Sequence, residues 1–185
     1  EYPHRDDPRR APSFVGCDEV LTFTLSGLSK TLALPQMKLG WVHVGGPDAL
    51  RSEALRRLEH IADSFLSVGA PVLRAAPVWL RHREALQRPV REGIARNLAT
   101  LKRAITAESP VSLLPVEGGW SAVLRLPATR DDDAWVLALL ERGVLVQPGY
   151  FFDVPGDGHM VLSLLPSTDQ FEEGIERLCA LVAED

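Results

Sequence analysis

The hydrophobic and polar positions of the first half of the chain change period twice. Residues 1–18 are polar and proline-rich and are interpreted as loop. β-Branched residues then alternate in EVLTFTLSGLSK, which predicts a strand ending near Gly27, and LGWVHVGG predicts a second short strand. From Pro47 apolar positions recur every three or four residues as far as Phe65, which predicts an amphipathic helix ended by the Gly69 turn.

The second half begins with a helical pattern that continues through Trp79, with breaks predicted at Pro77 and Pro89. A long helix follows, which we expect to connect two subdomains; its apolar face consists of Ile94, Leu98, Leu101 and Ile105. A compact α+β pattern comes last, with GGWSAVLRLP, VLVQPG and HMVLSLLP as strands and DDDAWVLALLERG as a helix. The final helix is predicted to open at Ser167, where Gln170 completes a capping box.

Composition narrows the class of protein. The 185 residues are 45% hydrophobic and 24% charged, which is typical of a globular protein. A net charge of −5 with both signs interspersed argues against a nucleic-acid surface, which needs a basic face. No apolar run is long enough to span a membrane and no signal-peptide pattern opens the chain. We therefore expect a cytoplasmic location, with neither nucleic acid nor membrane as partner.

Metal binding is not indicated by the spacing of the possible ligands. Cys17 and Cys179 lie far apart and are expected to be reduced thiols. His4 lies near Asp6 and Asp7, but no further ligand follows at a suitable spacing, so a solvated loop is favoured and no metal is expected.

The run TLSGLSKTLALPQMKLGW carries two lysines, Lys30 and Lys38, and no acidic residue. A lysine amine with a depressed pKa is a nucleophile that forms a Schiff base with a carbonyl, including the aldehyde of pyridoxal phosphate. A solvated surface loop is the alternative interpretation, because serine-rich lysine segments are common.

A site for such a coenzyme also has to hold its phosphate with hydroxyls, backbone N–H groups and a cation. Ser26 and Ser29 offer hydroxyls, and Gly27 lets the backbone come close. Lys38 returns to the same edge if residues 31–37 form a loop. The segment therefore contains each kind of group that a phosphate site needs.

The run SGLSKTLALPQMKLGW resembles the lysine motif of the class I/II aminotransferases, which are pyridoxal-phosphate enzymes of the aspartate-aminotransferase superfamily with fold type I. PVEGGWSAVLRLP, GVLVQPGYFF and GDGHMVLSLLPSTDQFEEGIERL resemble the C-terminal part of the same family in order and spacing. The resemblance covers nearly the whole chain from residue 18 onward.

The resemblance implies an α/β fold in two parts. Residues 1–88 would be the C-terminal portion of the large cofactor-binding domain, and residues 89–185 the interdomain helix and a smaller α+β C-terminal domain. The residues that the family uses before the lysine, including an aspartate that pairs with the coenzyme ring, would all precede Glu1. We therefore expect the chain to be the C-terminal half of a longer enzyme, and the segment alone to be inactive.

The resemblance also implies an activity. The intact protein would move an amino group between an amino acid and a 2-oxo acid, as a cytoplasmic homodimer. Lys30 would carry pyridoxal 5′-phosphate as a Schiff base and act in catalysis, and Ser26, Ser29 and Lys38 would bind the coenzyme with it. A carbon–sulfur lyase or related enzyme of the same fold, and a non-catalytic truncated module, remain as alternatives.

Three positions depart from the family pattern. Lys38 stands where most members have arginine, so the charge is kept and the bidentate fork is lost. Gly27 stands where a phosphate-binding serine is common. Val161 stands where an arginine grips the substrate carboxylate. Either another group makes that contact, with Arg125 and His159 as candidates, or the substrate is not a standard α-amino acid bound in the standard way.

Overall fold

The computed structural model describes residues 2–4, 8 and 10–184. Its contacts divide the chain into two compact units, one of residues 7–88 and one of residues 1–6 with 89–185. The architecture is mixed α/β. In the part of the chain that is described, no helix is both long and apolar enough to cross a membrane.

The unit of residues 7–88 is built on an antiparallel pair of strands. Its elements are β1 (Thr22–Gly27), α1 (Leu28–Thr31), a 3₁₀ turn (Pro35–Met37), β2 (Gly40–Gly45), α2 (Asp48–Ala62) and α3 (Ala70–Arg81). The register of β1 and β2 runs from Thr22 opposite Gly45 to Gly27 opposite Gly40. Both predicted strands are confirmed. They form here because their β-branched residues suit an extended backbone.

Helix α2 is shorter than its apolar pattern predicts. It ends at Ala62, so the expectation that Phe65 continues its apolar face is wrong, and Phe65 is 71% exposed. The N–H groups of Ser64 and Phe65 bond to carbonyls three residues back, a tighter turn that closes the helix before Gly69.

The predicted breaks at Pro77 and Pro89 are wrong. Pro77 lies inside α3, and Pro89 lies inside α4 (Arg83–Ala104). A proline frees the carbonyl four residues earlier, which belongs here to Leu73 and Ala85. Both of these residues are exposed, so water can hydrate the freed carbonyls and the helices continue.

The unit of residues 1–6 and 89–185 contains a four-stranded antiparallel sheet in the order β3-β4-β6-β5. Its elements after α4 are β3 (Ser112–Leu113), β4 (Ser121–Arg125), α5 (Asp132–Glu141), β5 (Gln147–Pro148), a 3₁₀ turn (Gly149–Phe152), β6 (His159–Ser163) and α6 (Thr168–Glu184). The predicted strands β4 and β6 and helix α5 are confirmed. Only two residues of VLVQPG pair as a strand, and β3 was not predicted.

The core of this unit lies between one face of the sheet and the helices. The apolar face predicted for α4 is confirmed, since Ile94, Leu98, Leu101 and Ile105 are all buried in the core cluster. Helix α6 starts directly after Ser167, whose hydroxyl bonds to the Gln170 side chain at 2.9 Å. Asn97 is fully buried on α4 and its side-chain amide donates to the carbonyls of Leu164 at 3.0 Å and Pro166 at 2.9 Å.

Candidate functional site

The segment that connects β1 to β2 carries both lysines of the predicted site. The backbone N–H of Leu28 bonds to the carbonyl of Leu39 at 2.9 Å, which extends the strand pairing one step into the connection. Helix α1 holds Lys30, and Lys38 ends the 3₁₀ turn in the left-handed conformation, at φ 50° and ψ 41°. Residues 31–37 therefore bring the chain back to the start of α1, because Lys38 directly precedes Leu39, whose carbonyl accepts the hydrogen bond from Leu28.

Two glycines let the ends of β1 and β2 approach each other closely where the connection begins and ends. A Cβ on Gly27 would lie 3.0 Å from the carbonyl oxygen of Leu39 and 3.2 Å from the Cα of Gly40. A Cβ on Gly40 would lie 3.3 Å from the carbonyl oxygen of Ser26. A side chain at Gly27 would therefore push apart the two strand ends that lead to Lys30 and Lys38.

A pair of hydroxyls lies at the base of α1. Ser26 Oγ and Thr31 Oγ1 are 3.1 Å apart and share a hydrogen bond. Thr31 is buried, with 8% of its surface exposed, and Ser26 and Ser29 are half-buried. Thr31 was missed by sequence reasoning, although its position directly after Lys30 could have suggested it.

Gln87 anchors the same turn from a distant part of the sequence. Its side chain is buried, and Nε2 donates to the Thr31 carbonyl at 2.6 Å. The bond fixes the last residue of α1, immediately after Lys30. Nothing in the sequence pattern pointed to Gln87, because it lies 56 residues away in the chain.

The donor set of this connection suits a phosphate and an aldehyde better than a metal. It offers two amines, of Lys30 and Lys38, which are both exposed, and the hydroxyls of Ser26, Ser29 and Thr31. Among the described residues, no group of three or more His, Cys, Asp or Glu side chains could hold a metal ion. Asp6 and Asp7, weighed with His4 as ligands, lie outside the described residues.

The second region of interest is the face of the four-stranded sheet that points away from the core. Val161 lies on it, opposite Val123 on one side and Gln147 on the other, and is 6% exposed. Arg125 and His159 lie directly opposite each other on the same two strands, two residues away from Val123 and Val161. The register therefore places both carboxylate candidates together on the face that carries Val161.

A buried carboxylate holds the turn beside this face. Asp132 is 5% exposed and accepts hydrogen bonds from the backbone N–H groups of Gly149 at 3.0 Å, Gly158 at 2.6 Å and His159 at 3.0 Å. A Cβ on Gly149 would lie 2.5 Å from the Cβ of His159. Asp132 and the glycine together fix His159, a role that the DDD run did not reveal.

The neighbouring carboxylate affects Tyr150. Its phenol donates a hydrogen bond to Asp133 at 2.9 Å, and this bond, followed by desolvation and the negative charges of Asp133 and Asp132, raises the pKa of Tyr150 above its ordinary value. The phenol is therefore kept neutral as a donor. Burial also raises the pKa of the Cys179 thiol, which makes it a poor nucleophile.

The family described as "Aminotransferase class I and II" matches residues 6–178 of the chain. The glutamate-pyruvate aminotransferase AlaA of Escherichia coli K12 is 26% identical over 173 residues, 89% of this chain and 42% of that protein. The LL-diaminopimelate aminotransferase of Nitratidesulfovibrio vulgaris is 28% identical over 182 residues, 97% of this chain and 45% of that protein.

Two solved structures superpose on most of the chain. A probable N-succinyldiaminopimelate aminotransferase from Thermus thermophilus superposes with a TM-score of 0.71 at 29% identity, covering 84% of this chain and 40% of that one. A PLP-dependent aminotransferase from Streptococcus suis gives 0.73 at 23% identity, covering 88% and 42%. The chain thus spans less than half the length of the relatives it matches.

Proposed function

Because the chain belongs to the class I and II aminotransferases, we propose that the protein containing it moves an amino group between an amino acid and a 2-oxo acid with pyridoxal 5′-phosphate as coenzyme. The family match over residues 6–178 and the mixed α/β fold confirm the resemblance and the fold class expected from the sequence. Activity is proposed for the whole protein, since the chain spans 42% of a relative such as AlaA.

Residues 1–88 are proposed to be the C-terminal portion of the large cofactor-binding domain, and residues 89–185 the interdomain helix and small domain. The division of contacts at Pro89 supports this boundary. The hairpin of β1 and β2 would then contribute the lysine segment to the cofactor domain.

Lys30 is proposed to bond covalently to the aldehyde of the coenzyme. The supporting observation is its placement in a short turn between two antiparallel strand ends, held by the Gln87 bond to the next residue. When bound, pyridoxal phosphate supplies an electron-withdrawing ring that accepts the electron pair left at a deprotonated carbon. Lys30, released from the aldehyde by the incoming amine, would carry the proton between the substrate α-carbon and the C4′ carbon as general base and acid.

The phosphate is proposed to rest against Ser26, Ser29 and Lys38. Ser26 is held by its hydrogen bond to Thr31, so its oxygen is positioned before a ligand arrives. The backbone N–H of Lys38 donates to the Pro35 carbonyl at 3.3 Å, while its flexible side chain carries the charge. The phosphate contact proposed for Lys38 is therefore made by the single charge of an ammonium group and not by the two parallel hydrogen bonds of a guanidinium.

The substrates are proposed to be an amino acid and a 2-oxo acid, with no metal taking part. The relatives are described as glutamate-pyruvate, alanine and LL-diaminopimelate aminotransferases, so a panel of donors is needed to find the one preferred by this protein. A cytoplasmic homodimer, implied by the family resemblance, belongs to the same proposal.

Product stoichiometry in the protein as its gene encodes it tests the activity. With an amino acid donor and no 2-oxo acid, an aminotransferase releases one equivalent of 2-oxo acid per site and stops, because the amino group stays on the coenzyme. A carbon–sulfur lyase keeps releasing product under the same conditions. A protein that takes up no coenzyme would be the non-catalytic module, and either of these two outcomes would contradict the proposal.

A further inference from the structure

Helix α1, which carries Lys30, is too short to be stable by itself. It has four residues, and isolated helices shorter than about 12 residues are marginal in water. Gly27 precedes the helix and has no side chain that could cap it. The position of Lys30 therefore depends on contacts that α1 makes with other parts of the unit of residues 7–88.

The backbone that follows α1 is strained, which adds to this dependence. Ala33 has φ 55°, in the left-handed region that is unfavourable for a residue with a Cβ. The N–H groups of Leu32 and Leu34 both donate to the Leu28 carbonyl, at 3.1 and 3.0 Å, and close the turn. Bonds within residues 28–34 thus give the turn its shape, whereas its place in the unit is set by contacts from outside the segment.

One such contact comes from Gln87 on α4. Its Nε2 donates to the carbonyl of Thr31 at 2.6 Å, across 56 residues of sequence. Thr31 is the last residue of α1, and the carbonyls at a helix end have no partner within the helix. Both residues are buried, so water cannot easily replace this bond. Both also belong to the unit of residues 7–88.

The side chain of Thr31 is held as well. Its hydroxyl shares a hydrogen bond of 3.1 Å with the hydroxyl of Ser26 on β1. Thr31 is therefore held to β1 through its side chain and to α4 through its carbonyl. Lys30 directly precedes this residue, and its own side chain is exposed. The Lys30 amine is thus carried by a backbone that the fold holds in place before any ligand binds.

The chemistry proposed for Lys30 depends on such placement. Bond formation and proton transfer need reacting atoms about 3–3.5 Å apart, and a displacement of about 1 Å can slow a reaction by about 100-fold. We propose that Gln87 is a positioning residue, which sets the place of the Lys30 amine through its hydrogen bond to the Thr31 carbonyl. This inference rests on the proposed function and adds to it a residue that acts through the backbone.

Gln87→Met in the full-length protein tests the inference, because methionine is similar in size and has no N–H to donate. The rate at which added pyridoxal 5′-phosphate forms a borohydride-reducible bond to Lys30 should fall by about 10- to 100-fold. At saturating coenzyme, kcat should fall while KM for the donor stays unchanged, since Gln87 acts on the lysine. Without coenzyme, hydrogen exchange at the Leu32 and Leu34 amides should accelerate.

Gln87→Glu adds a pH signature that a loss of stability alone would not produce. A protonated carboxyl can donate to the Thr31 carbonyl, whereas an ionised carboxylate can only accept. The rate of bond formation, taken relative to the wild type at each pH, should match Gln87→Met at high pH. It should approach the wild-type rate as the pH falls through the pKa of the introduced carboxyl. If Gln87→Met does not fold, this comparison gives the same test within one protein.

Asn97→Leu is the matched control. Asn97 is another buried amide on α4 that donates to backbone carbonyls, but it belongs to the unit that contains residues 89–185. Asn97→Leu and Gln87→Met should both lower the urea midpoint, because each leaves a carbonyl without its buried donor. Only Gln87→Met should slow bond formation at Lys30.

Three outcomes would overturn the inference alone. The first is a Gln87→Met protein that forms the Lys30 bond at the wild-type rate. The second is equal slowing in Gln87→Met and Asn97→Leu, which would give Gln87 a role in stability only. The third is a Gln87→Glu protein that stays as slow as Gln87→Met at every pH at which it is folded. Wild-type protein that forms no bond to the coenzyme at Lys30 would instead overturn the proposed function together with this inference.

Discussion

Replacing Asp132 by alanine tests whether one buried carboxylate holds the turn that fixes His159. In the wild type this carboxylate accepts three backbone N–H groups, from Gly149, Gly158 and His159. Gly149 and Gly158 are buried, so water cannot easily replace the lost acceptor.

The magnitude follows from these contacts. Each buried donor left without an acceptor costs about 1–3 kcal/mol. The variant no longer has to bury a carboxylate, and this gain offsets part of the total cost for the three N–H groups. We expect Asp132→Ala to lower the free energy of unfolding by about 3 kcal/mol, which corresponds to about a 100-fold change in an opening equilibrium.

Amide hydrogen exchange gives the local readout, and urea unfolding gives the global one. Exchange at Gly149, Gly158 and His159 should accelerate by about 100-fold if local opening carries the loss. Asp133→Ala is the matched control, since Asp133 is exposed and accepts from the Tyr150 phenol. The reasoning is refuted if both alanine variants lose the same stability, or if exchange at the three amides stays unchanged.

Three further predictions concern single sites. Asn97→Ala should lower the free energy of unfolding by about 2–3 kcal/mol, read from the urea midpoint, because the carbonyls of Leu164 and Pro166 both lose a fully buried donor. Gly46→Ala should destabilise the β1–β2 hairpin by about 2 kcal/mol in hydrogen exchange, since Gly46 has φ +116° and a Cβ there would lie 2.7 Å from the Val20 carbonyl oxygen. Hydrogen bonds from Arg56 and Arg57 lower the pKa of Glu53 to about 2. The stabilisation that ionised Glu53 gives α2 is therefore present above pH 4.5 and is lost as pH falls through 2. An NMR titration of Glu53 should show the lowered pKa, and added salt should weaken the stabilisation.

Local patterns were sufficient where a single stretch of chain decides the structure. The lysine segment is an example, because glycines at both strand ends and a proline in the loop favour a closed connection, which β1 and β2 indeed form. The same holds for α4, whose apolar period matches the buried residues Ile94 and Leu98.

Long-range contacts were not predictable in the same way. Gln87 and Asp132 looked like ordinary polar residues of helices, and only the folded chain brings them to backbone groups 56 and 17 or more residues away. The prolines of α3 and α4 misled the prediction for a related reason, since whether water reaches the freed carbonyls depends on the tertiary structure. Helix propensity describes the local free-energy cost of a proline, and the exposure of the freed carbonyl in the folded protein decides whether water offsets that cost.

The central claim is that the side chain of Lys30 bonds to the coenzyme. Full-length protein incubated with pyridoxal 5′-phosphate, treated with borohydride and digested should yield one peptide that carries a phosphopyridoxyl group on Lys30. Lys30→Arg should yield no such peptide, and Lys38→Arg should retain it. Labelling spread over surface lysines, or a wild-type Lys30 peptide without the group, would contradict the account.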